Sequence, residues 1–91
     1  MMDDATLQRR LQSVGMAAFV THLALFEGGL RDADAAAALQ SLTGWKPKAT
    51  RTRVTNARAI LAAGRRRDAL ALIAASDRVP EAIRAAARAA R

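Results

Sequence analysis

The stretch GWKPKATRTRVTNARAILAAGRRR, residues 44–67, decides the fold, because it combines a helix pattern with most of the positive charge of the chain. Apolar residues recur at helical spacing over residues 50–63. Thr50 is a suitable N-cap residue, and Gly64 is suited to end the helix. We therefore expect a helix over about 50–63. Its core-facing positions are expected to be Val54, Ala57 and Leu61, with Ile60 beside them.

The positive charge of this stretch is not balanced by any acidic residue. Residues 46–67 contribute +8 to a net charge of +7, whereas residues 1–45 contribute −2 and residues 68–91 contribute +1. A local positive field of this kind favours a polyanion as partner. The eight cations are Lys46, Lys48, Arg51, Arg53, Arg58, Arg65, Arg66 and Arg67.

Length and composition predict one all-α domain that spans residues 1–91. The chain has 24 alanines, no cysteine and no run of β-branched residues. The absence of cysteine excludes disulfides, zinc fingers and a thiol nucleophile. No uncharged apolar stretch is long enough to span a membrane, and the acidic start lacks the features of a signal peptide. We expect a cytoplasmic protein, and the excess of Ala and Arg hints at a bacterial, phage or mobile-element origin.

Helix stop signals divide the chain into a compact bundle of about five helices. The first is expected over residues 3–27, with Gly15 as a possible break, and Gly28 and Gly29 end it. The second follows Asp32 over residues 33–43, with Leu39 and Leu42 facing the core. The helix over 50–63 is the third. The fourth and fifth are expected over 66–75, with Leu70, Ile73 and Ala74 inward, and over 81–90, with Ile83 as the only large apolar anchor.

The second half of the first helix has apolar residues around most of its circumference. One apolar stripe runs along the whole helix, and a second joins it from Met16 onward. Such a helix is either the central helix of the domain or a contact between two copies. We expect a homodimer, because a short alanine-rich chain buries little surface by itself. The expected dimer interface consists of Met16, Phe19, Val20, Leu23 and Phe26.

The helices over 33–43 and 50–63 suit the entry of a helix into a DNA groove. A slim alanine-rich helix would support a second helix that has a polar outer face. Arg pairs with guanine and Asn with adenine, so polar residues near the helix start are candidate readers. The expected base-reading residues are Arg51, Thr52, Arg53, Thr55 and Asn56. The expected phosphate contacts are Lys46, Lys48, Arg58, Arg65, Arg66 and Arg67.

Residues 32–61 resemble helix-turn-helix DNA-binding proteins. Leu39 and Gly44 match the support helix and its turn. The matches to the buried positions of a recognition helix are Val54, Ala57 and Leu61. The segment from Gly44 to Thr50 is about three residues longer than the compact turn of such proteins. The resemblance implies a DNA-binding transcriptional regulator, with a palindromic site if the protein is a dimer.

Other interpretations use the same residues. A small basic protein-interaction module, such as an adaptor or inhibitor, would present the same surface to an acidic protein or a nucleoprotein complex. The scarcity of aromatic residues argues against a single-stranded RNA platform. Trp45 and His22 are read as packing residues rather than as a stacking platform and a metal ligand. No nucleophile–base pair, phosphate-binding glycine loop or metal-ligand set is present, so we expect no catalytic activity, no cofactor, no metal and no small-molecule substrate.

Overall fold

The computed structural model describes all 91 residues and contains helices but no strands. The all-α prediction is therefore confirmed, although the helices number seven rather than five. The molecule measures 30 × 30 × 20 Å. The helices are α1 (Asp4–Val14), α2 (Met16–Thr21), α3 (Leu23–Glu27), α4 (Asp32–Thr43), α5 (Pro47–Ala62), α6 (Arg66–Ala74) and α7 (Glu81–Ala90).

The expected first helix is three helices, because the chain bends at Gly15 and at His22. Gly15 adopts φ 90° and ψ 128°, a conformation that favours glycine. Two apolar stripes cannot both face one core along a straight helix. The two bends solve this problem and bring Phe19 and Phe26 into the core, with their ring centroids 6.4 Å apart.

The expected dimer interface includes three side chains that this packing buries. Phe19, Leu23 and Phe26 are buried within their own chain, at 0, 7 and 2 % exposure. They belong to the same core cluster as residues of α1 and α4–α7. Met16 and Val20 are half-buried and pack against the same core.

Helix α5 is the central element, and it packs against α1 on one side and α4 on the other, with α3 also in contact. Its buried positions are Thr50, Val54, Ala57 and Ile60. Ile60 therefore takes the core position that was predicted for Leu61, which is half-buried. The remaining large buried side chains are Leu7, Leu11, Val14, Leu39, Leu70 and Ile73.

Two smaller expectations also change. Leu42 was expected to face the core but is 69 % exposed at the end of α4. In α7 the fully buried residue is Ala87, whereas Ile83 is half-buried. Alanine is small enough to let α7 lie close to the neighbouring helices, so α7 is buried at Ala87 without a large side chain.

The connection between α4 and α5 is a three-residue turn, Gly44–Lys46, rather than the longer segment expected from the sequence. Gly44 is left-handed, with φ 73°, and its N–H bonds the carbonyl of Gln40. Pro47 is the first residue of α5, where its missing N–H costs nothing. Thr50 is not the N-cap. It is buried inside the first turn, where its hydroxyl donates to the carbonyl of Pro47.

No helix is both long enough and apolar enough to cross a membrane.

We predict that Gly15→Ala lowers the free energy of unfolding by about 1–3 kcal/mol, because a side chain is strained at this φ and ψ. An added Cβ would also lie 3.0 Å from Nη1 of Arg53. Urea denaturation measures the loss. The control is Gly29→Ala, whose Cβ would meet no atom within 4 Å and whose φ is not positive. Equal unfolding free energies for the two variants would contradict the role given to Gly15.

Candidate functional site

The eight cations of residues 46–67 divide into two groups once the chain is folded. Arg53, Arg58, Arg65 and Arg66 are held by hydrogen bonds within the molecule. Lys46, Lys48, Arg51 and Arg67 are exposed and form no hydrogen bond or ion pair through their side chains. Only the second group is free to bind an external anion.

Arg58 is the clearest example of a cation that serves the fold. Its Nε donates to the carbonyl of Phe26 at 3.1 Å and its Nη2 to that of Gly28 at 3.3 Å. Its Nη1 also pairs with Asp32 at 2.6 Å. The carbonyls at a helix end lack partners and carry partial negative charge, so a guanidinium suits them. Arg58 joins the end of α3 to the start of α4, so its expected phosphate contact would have to compete with these three bonds.

Arg65 and Arg66 are likewise engaged. Arg65 forms ion pairs with Asp4 at 2.5 Å and with Asp68 at 2.6 Å. These carboxylates raise the pKa of Arg65 above its usual value, and the hydrogen bond to Asp4 has the largest effect. Arg66 pairs with Glu27 and donates to the carbonyl of Ala90, at the end of α7, at 2.8 Å. All three guanidinium nitrogens of Arg65 have partners, whereas Arg66 keeps Nη2 without one, so phosphate contacts of both would compete with these bonds. Arg67 is the member of the triplet whose side chain has no partner within the chain.

Arg53, expected to read bases, instead lies between α1 and the α4–α5 turn. Its Nη1 donates to the carbonyl of Val14, the last residue of α1, at 2.5 Å. Its guanidinium carbon lies 4.1 Å from the ring centre of Trp45, a cation–π contact. The ring of His22 meets Trp45 on edge, at 5.9 Å between centroids. Trp45 and His22 thus pack within the domain.

Asn56 is the second expected reader whose side chain is already bound. Its Oδ1 accepts a hydrogen bond from Nη1 of Arg10 at 3.0 Å, and its Nδ2 donates to the carbonyl of Thr52 at 2.9 Å. Both ends of the amide therefore have partners inside the chain. These two bonds hold the amide against the protein and leave one proton of Nδ2 and one lone pair of Oδ1 without a partner. Of the five expected readers, the exposed ones are Arg51, Thr52 and Thr55.

A concave site lies where the end of α1 meets the start of α5. We call it the cationic pocket, and it has a volume of about 390 Å³. Its lining contains three cations and two hydroxyls but no carboxylate. It is formed by Ser13 of α1 and by Lys46, Lys48, Ala49, Thr52 and Arg53. Arg53 is already bound to the carbonyl of Val14. The cations of the pocket that have no partner are therefore Lys46 and Lys48.

The start of α5 adds to the positive potential of this pocket. No side chain caps that helix end, and the N-cap residue is Lys46. A helix N-terminus carries partial positive charge, and no acidic residue lies in the first turn. Ser13 was missed by the sequence analysis, since nothing in its surroundings distinguishes it from any other exposed helix residue. It enters the site only because α1 packs on α5.

Another concavity, of about 310 Å³, lies between α1 and α6. Its charged residues are Asp4, Arg65 and Asp68, which bind one another. The apolar part is formed by Leu7, Ala71, Leu72 and Ala75. The cationic pocket differs from this concavity because two of its charged side chains, Lys46 and Lys48, have no partner within the chain.

Comparison with known protein families, with curated proteins and with solved structures found no match to this chain. The resemblance to helix-turn-helix proteins therefore rests on residues 32–61 alone. The structure also contains no group of His, Cys, Asp and Glu side chains arranged to hold a metal ion.

We predict that Arg53→Met lowers the free energy of unfolding by about 1–3 kcal/mol, because the Val14 carbonyl loses a charged donor and Trp45 loses its cation. Urea denaturation and the emission wavelength of Trp45, the only tryptophan, measure the two effects. The control is Arg51→Met, two residues earlier and exposed, which should change stability by less than about 0.5 kcal/mol. Equal effects of the two substitutions would contradict the structural role of Arg53.

We also predict that His22 makes the fold less stable as the pH falls below neutrality. Burial lowers the pKa of His22 below its usual value of 6.5. On acidification the unfolded chain is protonated first, so the free energy of unfolding falls between pH 6.5 and the lower pKa of the folded state, and this contribution levels off below that pKa.

NMR titration of the His22 ring gives the folded pKa, and urea unfolding between pH 5 and 8 gives the stability. His22→Gln should remove this part of the pH dependence while leaving the acid unfolding caused by carboxylates. A folded pKa at or above 6.5 would show the prediction to be wrong.

Proposed function

We propose that the chain is a DNA-binding protein of the transcriptional-regulator type, which holds duplex DNA through the first half of α5. The observation that carries the proposal is the cationic pocket. It places free Lys46 and Lys48 beside two hydroxyls and contains no carboxylate. Lys, Ser and Thr side chains and helix N-termini are the groups that contact DNA phosphates in proteins.

The geometry of the helix pair gives further support. The turn Gly44–Lys46 has the short length and the glycine that are usual between the two helices of a helix-turn-helix unit. In such units the N-terminal residues of the second helix meet the base edges. Here those residues are Lys48, Arg51 and Thr52, all exposed.

The proposed phosphate contacts lie at both ends of α5. Lys46 and Lys48 lie at its start, and Arg67 follows its end after Gly64. A helix of 16 residues is about 24 Å long, so the two sets meet different phosphates. Duplex DNA is favoured over duplex RNA, because the deep, narrow major groove of RNA does not admit a helix.

The oligomeric state and the location are further parts of the proposal. Of the residues expected at a dimer interface, Met16 and Val20 are the two that remain partly exposed. A second copy bound there would present two α5 helices to a palindromic site in the cytoplasm. Sedimentation at micromolar concentration tests whether the protein is a dimer. A monomer would bind a single half-site of DNA instead of a palindrome.

The test uses the double variant Lys46→Gln with Lys48→Gln and measures affinity for a duplex at several salt concentrations. Each phosphate contact contributes about 0.9 to the slope of log affinity against log salt, so the slope should decrease by about 1.8. Stability should change by less than about 0.5 kcal/mol, because both side chains are exposed.

The matched control is Arg78→Gln with Arg91→Gln, which removes two exposed cations that lie outside the cationic pocket. This control should leave most of the slope of log affinity against log salt unchanged. Equal losses for the two double variants would mean that total charge, not the pocket, governs binding. If the unmodified chain does not bind any duplex at low salt, the proposal fails, and the basic protein-interaction module becomes the better interpretation of the free cations.

A further inference from the structure

The exposed side of α5 is chemically simple. Apart from Pro47 at its first position, its exposed residues are Lys48, Arg51, Thr52, Thr55 and Ala62. They share one side of the helix, between the side that packs on α1 and the side that packs on α4. Beyond Thr55, the exposed side offers only alanine methyl groups. Polar contacts from this side must therefore come from its N-terminal half.

Base discrimination needs more than a polar side chain. The side chains that best distinguish bases in the major groove form two hydrogen bonds to one base, as Arg does with guanine and as Asn or Gln does with adenine. Lys48 can also donate to O6 and N7 of guanine, but its ammonium group is flexible and lacks the rigid planar donor pair of Arg. Thr52 and Thr55 each have one short hydroxyl. The other paired donors of α5 are in Arg53, Asn56 and Arg58, which are held by contacts within the chain.

Arg51 is the exception on this helix. It is exposed, and its guanidinium forms no hydrogen bond or ion pair within the molecule. On α4 the shallow groove beside it is lined by Ala33, Ala36, Ala37 and Gln40, and Gln40 forms no hydrogen bond with Arg51. Asp32 is also close to this surface but is paired with Arg58. Arg51 is therefore free to extend away from the protein.

We infer that Arg51 supplies most of the base discrimination of this protein, by donating two hydrogen bonds to O6 and N7 of one guanine in the major groove. This role of Arg51 depends on the proposed DNA binding, and it assigns the base discrimination to one residue. The protein reads one G·C pair strongly and its neighbours weakly, and the remaining affinity comes from phosphates. One bidentate contact corresponds to about 5- to 150-fold discrimination against the wrong base.

The experiment selects bound duplexes from a library with a randomised centre and sequences them. The unmodified chain should enrich one G·C position within each bound site. A duplex with that position replaced by A·T should bind about 5- to 150-fold more weakly. In Arg51→Lys the preference should fall to less than about threefold, because Lys keeps the charge but lacks the rigid, planar pair of donors of the guanidinium. The salt slope of this variant should be unchanged.

The matched control is Arg67→Lys, which makes the same change at a proposed phosphate contact. It should keep the G·C preference, because a phosphate contact needs charge rather than paired donors. Arg51 is exposed and both residues are good helix formers, so the Arg51→Lys chain should fold normally, which circular dichroism and urea denaturation verify.

Three other results would overturn the inference. A preference that survives in Arg51→Lys would place discrimination on another residue, while the proposed DNA binding would stand. Binding without any preference in the unmodified chain would make Arg51 a phosphate contact, and the protein a sequence-tolerant DNA binder. Absence of binding to every duplex at low salt would remove both the proposed function and the inference that depends on it.

Discussion

Hydrogen bonds from arginine side chains to the backbone carbonyls of helix ends are the interaction on which this fold depends. Arg53 bonds the last residue of α1, Arg58 bonds the end of α3, and Arg66 bonds the end of α7. Arg84 instead bonds the loop between α6 and α7, where its Nη1 donates to the carbonyls of Ser76 and Val79. The bonds of Arg53, Arg58 and Arg66 satisfy carbonyls that a helix end leaves unpaired and place positive charge at the negative end of a helix dipole.

An alanine-rich chain has a particular need for such contacts. Alanine favours helices but buries little apolar area, so many short helices must be held together by a small core. Every helix end also adds unpaired carbonyls, and seven helices in 91 residues have many ends. A long arginine side chain can pack its stem on neighbouring residues and bond a carbonyl of another helix with its head. The high arginine content thus reflects folding as well as binding.

The sequence predicts the helical class and several helix ends well, because glycine and proline act locally. Gly44 is left-handed as expected, and Pro47 follows the turn. The sequence does not reveal which arginines are free, since that depends on which helices meet. Ser13 shows the same limit, because it reaches the cationic pocket only through the packing of α1 on α5.

Part of the missing information was nevertheless present in the helical periodicity. Arg53, Ala57 and Ile60 recur at intervals of four and three residues and share the inward side of α5. The expected core stripe ran through Leu61, with Ile60 beside it, and this turned the expected inward side of α5 away from Arg53. With Ile60 in the core, Arg53 falls beside buried residues and Arg51 falls outside, although only one residue separates them in the chain.

The difference between the inward and outward sides of α5 explains how one helix can serve both stability and binding. The inward arginines of α5 are fixed by carbonyls and cannot follow a ligand, whereas Lys48 and Arg51 on the outward side have no such bonds. Because Arg53 holds the α4–α5 turn through Trp45, it also fixes the direction in which Lys46 enters the cationic pocket. Loss of an inward arginine therefore changes the fold and, through it, the binding surface. Loss of an outward cation changes the binding surface alone.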